Sequence, residues 1–205
     1  AVHSLDARYY TDPQIFAGEQ AGLFARTWQF ACHLSDLPSA GCYTSFEIGG
    51  ESLFAVRGRD KQVRVFYNVC QHRAHQLVSG AGRSPTITCP YHAWSYDFAG
   101  ALRAAPNLDV VAGADKSKIC LPEVRCEEFL GFLFVNLDVD AAPMESWFPG
   151  VRAELEEWVP NWAHLKPLEW VEIPEKCNWK VSVENYSECY HCALNHLTFS
   201  NGIVK

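Results

Sequence analysis

Between residues 42 and 67 the chain alternates apolar and polar positions in short runs separated by turn residues. "TSFEI", "ESLFAVR" and "QVRVFYNVC", punctuated by "GG" and "GRDK", read as three short strands. "TITC", "AWSYD" and "ALRAA" predict further strands around an Ala-Gly turn, and "EVRCEEF-LG-FLFVNLD" predicts another hairpin. Residues from roughly 30 to 140 are therefore expected to form one small antiparallel β domain. "GAGRSP", Gly80 to Pro85, lacks the third glycine and following helix of a dinucleotide fingerprint and is read as a loop.

Helical spacing replaces alternation at both ends. Near the N-terminus Asp12 can cap, Pro13 suits a first helical position, and Ile15, Phe16, Glu19 and Leu23 follow an amphipathic period. "DAAPMESWFPG" is a connection, and "VRAELEEW" is a short helix stopped by Pro160. "LEWVEIPEK" alternates like a strand. "NWKVSVENYSECYHCALNH" reads as a helix with Asn178 as its cap. Three regions result: an N-terminal helical segment over residues 1–30, a β domain over 31–142, and the beginning of a second domain over 143–205.

Composition narrows the class. With 48% apolar residues, a chain of 205 can bury a real core. The net charge of −7 and the lack of a basic stripe argue against nucleic acid. No apolar run approaches a membrane span; the longest, residues 129–135, is broken by Gly131. Nine cysteines, an odd number without a signal peptide, fit reduced thiols in a cytoplasm, some of them holding metal.

Two groups of residues carry chemistry. Cys70 and His72 form C-x-H; after a 16-residue gap, Cys89 and His92 form C-x-x-H. Each half supplies one thiolate and one imidazole at the end of a predicted strand. A zinc finger groups Cys with Cys and His with His, whereas two Cys on one iron and two His on the other is Rieske ligation. A structural zinc site is the competing reading. "CQHRAHQL" and "CPYHAW" resemble the Rieske signatures of ring-hydroxylating-type oxygenase α subunits, with Ala74 and Ala93 where that family commonly has Gly. The resemblance implies a 2Fe-2S cluster, with Cys70 and Cys89 on the buried iron, His72 and His92 on the outer iron, and Trp94 as a shield. Arg73 and His75 are read as loop residues. No flavin or nicotinamide motif is present, so electrons are expected from a separate NAD(P)H-dependent flavin/iron-sulfur reductase or a ferredoxin.

The second group is "ENYSECYHCALNH". Glu188 and His191 are three apart and share a helical face. His191 and His196 are five apart and would diverge by roughly 140° on a regular helix, so they converge only where the helix bulges or breaks. The segment is similar to the same family's mononuclear iron motif, E-N-x-x-x-D-x-Y-H-x4-H. It keeps Glu184, Asn185, Tyr190, His191 and His196, is one residue shorter after Asn185, and has Glu188 for the usual Asp. The resemblance implies that His191 and His196 are two ligands of a 2-His-1-carboxylate Fe(II) site. It makes Glu188 an electron bridge to a Rieske histidine of a neighbouring subunit in a homotrimer, and Asn185 a polar neighbour of the iron.

Cys189, Cys192 and Tyr190 are read as packing residues, and Trp158, Trp162, Trp170 and Trp179 as core and interface aromatics. The carboxylate ligand is expected beyond this stretch, so the 205 residues alone are expected to be inactive. The implied fold is a mainly β Rieske domain followed by the start of an α+β helix-grip (START-like) catalytic domain. The implied activity is O2-dependent hydroxylation of a small molecule. Glu188 points to the branch acting on quaternary ammonium compounds such as carnitine, choline or glycine betaine, with oxidative C–N cleavage; the alternative is an aromatic-ring-hydroxylating dioxygenase α subunit. A pure Rieske electron carrier would end near residue 140 and have no use for the histidine pair.

Overall fold

The structure is a computed structural model that describes residues 5–111, 113–188 and 191–202. It divides into two compact units, Gln20–Leu168 and a smaller one made of Ala1–Glu19 with Glu169–Lys205.

A short helix, α1 (Arg8–Thr11), precedes the expected one, which forms as α2 (Pro13–Glu19) and runs into a π-helical turn, Gln20–Phe24. Asp12 does cap α2: its Oδ1 accepts from the Gln14 N–H at 2.8 Å, and Pro13 occupies the first helical position.

Among the described residues ten antiparallel strands follow. They are β1 (Gln29–His33), β2 (Cys42–Ile48), β3 (Glu51–Arg57), β4 (Val63–Tyr67), β5 (Ala81–Arg83), β6 (Ile87–Thr88), β7 (Ser95–Tyr96), β8 (Leu102–Ala104), β9 (Glu123–Phe129) and β10 (Phe132–Asn136). Seven of them form one sheet in the order β1-β10-β9-β4-β3-β2-β5, and β6-β7-β8 form a second. The Gly49-Gly50 turn has both residues at positive φ, as a two-residue hairpin of matching twist requires. Two strands depart from the expectation. β1, which the alternation did not single out, pairs with β10. "GAGRSP" is no plain loop, since β5 pairs with β2 through Cys42–Arg83 and Thr44–Ala81 and forms the sheet edge.

β3 shows how the core is divided. Phe54 and Val56 point into one cluster with Phe66, Ile87, Tyr96 and Leu102; Leu53 and Ala55 point into another with Val65, Leu133 and Val135. Side chains alternate between faces of a strand, so a central strand buried on both faces must be apolar where it is buried, as β3 is from Leu53 to Val56. Each large side chain buried here is worth about 1.5–3 kcal/mol. Gly100, in the expected Ala-Gly turn, lies at φ +85°, and a Cβ there would sit 2.7 Å from the Phe66 ring. The turn therefore closes directly onto the core that carries β6 and β7.

After the sheets come α3 (Met144–Trp147) and α4 (Val151–Trp158), the latter ending before Pro160. "LEWVEIPEK" forms no strand, and Leu168, Trp170, Val171 and Ile173 are exposed. Alternation yields a strand only where the stretch pairs with a neighbouring edge, and among the described residues it pairs with none. The final helix is broken into α5 (Trp179–Ser187), α6 (Cys192–Asn195) and α7 (Leu197–Gly202). Asn178 caps α5 as expected, its Oδ1 accepting from the Lys180 N–H at 3.1 Å.

Candidate metal centres

Cys70 follows β4 and Cys89 follows β6, and the two loops are built alike. The Cys70 N–H donates to the His75 carbonyl at 2.8 Å and the Ala74 N–H to the Cys70 carbonyl at 2.9 Å. The Cys89 N–H donates to the Trp94 carbonyl at 2.8 Å and the Ala93 N–H to the Cys89 carbonyl at 3.0 Å. Each loop thus folds back on its own cysteine, which needs a left-handed residue at the fourth position after that cysteine. Ala74 and Ala93 supply it at φ +54° and +56°. Their departure from Gly is thus a matter of backbone strain, of the order of 1–2 kcal/mol each, rather than of side-chain size alone.

The loops bring all four residues of the first constellation together. Cys70 and Cys89 are 3% and 2% exposed and belong to the core cluster beneath the loops. The His72 and His92 rings lie 4.7 Å apart between centroids, half-buried above them. The buried Trp94 indole stacks on His72 at 4.8 Å and 11°, and Tyr91 lies 3.8 Å from His92. Desolvation, the nearby His92 and Arg73 hold the His72 imidazole below its ordinary range, favouring the neutral form a metal ligand needs.

Two residues that sequence reading passed over complete this site. Tyr96 is fully buried, with its Oη 3.4 Å from Cys70 Sγ while accepting from the Gln71 N–H at 3.1 Å. With that N–H on its oxygen, the hydroxyl proton is free to point at the sulfur. Burial first, then the bond to Cys70, raises the Tyr96 pKa, so the proton stays. Asn68 is 3% exposed; its Oδ1 accepts from the Leu77 and Val78 N–H groups at 3.1 and 3.0 Å, and its Nδ2 donates to the Val78 carbonyl at 2.8 Å. It ties the return of the first loop to its start. The available signal for both was position: Tyr96 lies two residues from Trp94, at an inward-facing position of β7, and Asn68 interrupts an otherwise apolar run.

The second constellation is assembled by breaking the helix. Glu188, just past α5, is extended at φ −133° and ψ 141°. His191 and His196 flank the single turn of α6 as its two cap residues, so neither is held to the 100° step of a continuous helix. Their rings meet at 5.2 Å and 72°. They open on a cleft of about 420 Å³ lined by Asn185, Tyr186, Glu188, His191, Cys192, His196 and Phe199. Asn185 and Glu188 line the same cleft as the two histidines. Cys192 lines this cleft instead of packing into a core, and Tyr186 and Phe199 are lining residues that sequence reading missed. Of the four tryptophans after α3, none lines the cleft: Trp162 packs beside the Trp28 cluster and Trp158 is largely exposed. Cys189 and Tyr190 lie outside the described residues.

Among the described residues no three His, Cys, Asp or Glu side chains close on one point. The donors come instead as two Cys with two His, and as a separate His pair. Residues 27–115 match the Rieske [2Fe-2S] domain, and residues 162–203 match the ring hydroxylating alpha subunit (catalytic domain). Through these two matches the chain is similar to Rieske-type oxygenase α subunits. A Rieske domain implies a 2Fe-2S cluster and the ring-hydroxylating catalytic domain implies a mononuclear iron. Two buried thiols and the buried, unpartnered Nδ1 of His92 fit a cluster at the first site. Two neutral-capable imidazoles on an open cleft fit part of an iron site at the second.

Among its relatives is the carnitine monooxygenase oxygenase subunit of Escherichia coli K12, 44% identical over 98% of this chain and 54% of that protein. The 2-aminobenzenesulfonate 2,3-dioxygenase subunit alpha of an Alcaligenes species is 36% identical over 100% of this chain and 52% of that one. Among solved structures, a quaternary ammonium Rieske monooxygenase, whose description concerns carnitine oxidation by gut microbiota and inter-subunit electron transfer, superposes with a TM-score of 0.89. It shares 35% identity over 98% of this chain and 59% of that one. The chain spans about half the length of the curated relatives it matches. Among the described residues no helix is long and apolar enough to cross a membrane.

Proposed function

We propose that this chain is part of the oxygenase component of a two-component Rieske system that hydroxylates a quaternary ammonium compound and thereby cleaves a C–N bond. The observation carrying the reading is the meeting of the His191 and His196 rings on a cleft lined by Glu188, in a chain that also brings together a Cys70/Cys89 and His72/His92 set. Cys70 and Cys89 would hold the inner iron of the cluster, and His72 and His92 the outer one. Trp94 and Tyr96 exclude water, and Tyr96 donates to the Cys70 sulfur. His191 and His196 would hold two positions of the mononuclear iron. When bound, that iron supplies O2 activation beside a substrate C–H bond.

The cleft suits a cationic substrate. Tyr186 and Phe199 present aromatic rings, the groups that receive a trimethylammonium head without hydrogen bonds. Hydroxylation next to nitrogen leaves a hemiaminal that collapses to an aldehyde and an amine. Glu188 bridges His191 to a Rieske histidine of a neighbouring subunit, which makes a homotrimer part of the mechanism. Asn185 orients the histidine pair. Electrons come from a separate reductase or ferredoxin. The Cys-His loops occupy the β unit, residues 31–142, and the helical region from 143 onward opens the catalytic domain.

The test is turnover of the intact protein with a reductase and carnitine, glycine betaine or a substituted arene, following O2 uptake and amine release. Amine release from a quaternary ammonium substrate supports the reading; cis-diol formation from the arene alone would sink it in favour of a ring dioxygenase. Glu188→Ala is expected to leave both metals bound and to slow single-turnover oxidation of the reduced cluster.

A further inference from the structure

The smaller unit joins two stretches about 160 residues apart in sequence, and the contacts between them converge on α5. Glu19, the last residue of α2, accepts from Lys180 Nζ at 2.5 Å and from Trp179 Nε1 at 2.8 Å. Tyr10 Oη donates to Glu184 Oε1 at 2.5 Å. The backbone carbonyl of Tyr10 accepts from Asn178 Nδ2 at 3.3 Å, so the residue that caps α5 is itself tied to the N-terminal segment. Lys180 is the one residue of α5 that is buried, at 8% exposure, and its ammonium also lies 5.1 Å over the Trp179 ring.

Lys180 and Glu184 are four apart and share one face of the helix, so the N-terminal segment runs along that face like a strap. Asn185, the next residue, and Tyr186 face the cleft, and Glu188 and His191 follow within two turns. Fixing Lys180 and Glu184 therefore fixes the rotation of α5. A rotation of about 20° would swing a side-chain tip on the cleft by about 2 Å. The hydrogen bonds from Lys180 and Trp179 hold the Glu19 carboxyl below the usual carboxylate range, which keeps it charged across neutral pH.

We propose that Tyr10 and Glu19 are positioning residues for the mononuclear iron site, acting from the N-terminal segment through α5 on the direction of Asn185 and the His191/His196 pair. Neither touches the reacting atoms. The inference rests on the reading of His191 and His196 as metal ligands, and the experiment separates the two.

In the intact protein freed of mononuclear iron, cobalt(II) binding is followed by visible absorption, and hydrogen exchange is followed over residues 179–187. His191→Ala must abolish the cobalt signal of the wild type; if wild-type binding is absent or survives that change, the ligand reading falls and this inference with it. Tyr10→Phe and Glu19→Gln are expected to speed exchange in α5 and to weaken cobalt binding about tenfold, while the cluster spectrum is unchanged. Tyr9→Phe, on an exposed neighbour whose hydroxyl and ring meet Arg8, is expected to change neither. The exchanged pair Glu19→Lys with Lys180→Glu is expected to restore affinity lost in either single charge reversal. Wild-type exchange in α5 and wild-type cobalt affinity in both Tyr10→Phe and Glu19→Gln would overturn the proposal.

Discussion

The two donor sets of this chain are built by opposite means. The Cys-His set stands on short loops bolted to a β core: its thiols are almost completely buried, each loop is closed by its own backbone hydrogen bonds, and Asn68 and Tyr96 brace it from below. The histidine pair stands on an interrupted helix, beside an open cleft, with most of its surroundings exposed. The contrast matches the two jobs proposed for them. A group that exchanges only electrons gains from a rigid, water-poor socket. A group that must admit O2 and a substrate needs open positions and walls that can adapt. The first site is therefore expected to respond to substitution through stability and potential, the second through metal affinity and turnover.

The sharpest break between the sites comes from removing a ligand of each. Cys89→Ala should eliminate the visible absorption of the cluster while cobalt(II) still binds at the histidine pair. His196→Ala should do the reverse, lowering metal affinity at the second site by more than about a hundredfold with the cluster spectrum intact. A change that removed both groups at once would show that the sites do not assemble independently.

Bracing of the first site is tested next. Asn68→Ala leaves the Leu77 and Val78 N–H groups without their acceptor in a buried setting. It should cost about 2–3 kcal/mol, read by chemical or thermal unfolding. Tyr96→Phe removes one donor from the Cys70 sulfur, and a bond that favours the more electron-rich sulfur stabilises the reduced cluster. Its loss should lower the midpoint potential by roughly 60 mV if the bond is worth about 1.4 kcal/mol, measured by spectroelectrochemistry. The smallest effect sharpens the comparison from the other side. Ala74→Gly and Ala93→Gly should each stabilise the protein by about 1 kcal/mol, because glycine accepts positive φ at lower cost; an unchanged melting temperature would argue against strain in these loops.

How much of this was readable beforehand differs along the chain. Strands β2 to β4 and the β9-β10 hairpin lie where alternation and turn residues placed them, because in a sheet the side-chain period and the local turn chemistry agree. β1 and β5 were missed because edge strands take their identity from a partner far away in sequence. "LEWVEIPEK" erred in the other direction, having the period but no partner. The break after Ser187 was foreseen only as a condition for the two histidines to meet; nothing in "YSECYH" announces where the helix stops.

The sequence alone determined the donor set. Two Cys-His pairs with their spacing, and a Glu-x-x-His-x4-His segment, are chemical statements that local residues make by themselves. It also determined the β texture of the first domain, since alternation is a local property. Tertiary structure decided what surrounds those donors. Burial of Tyr96 against Cys70, the Asn68 clasp, the convergence of His191 with His196, and the hold of Tyr10 and Glu19 on α5 each join atoms that lie apart along the chain or depend on where a helix breaks. Such contacts follow from packing and from satisfying buried polar groups across the fold, which no single window of residues specifies.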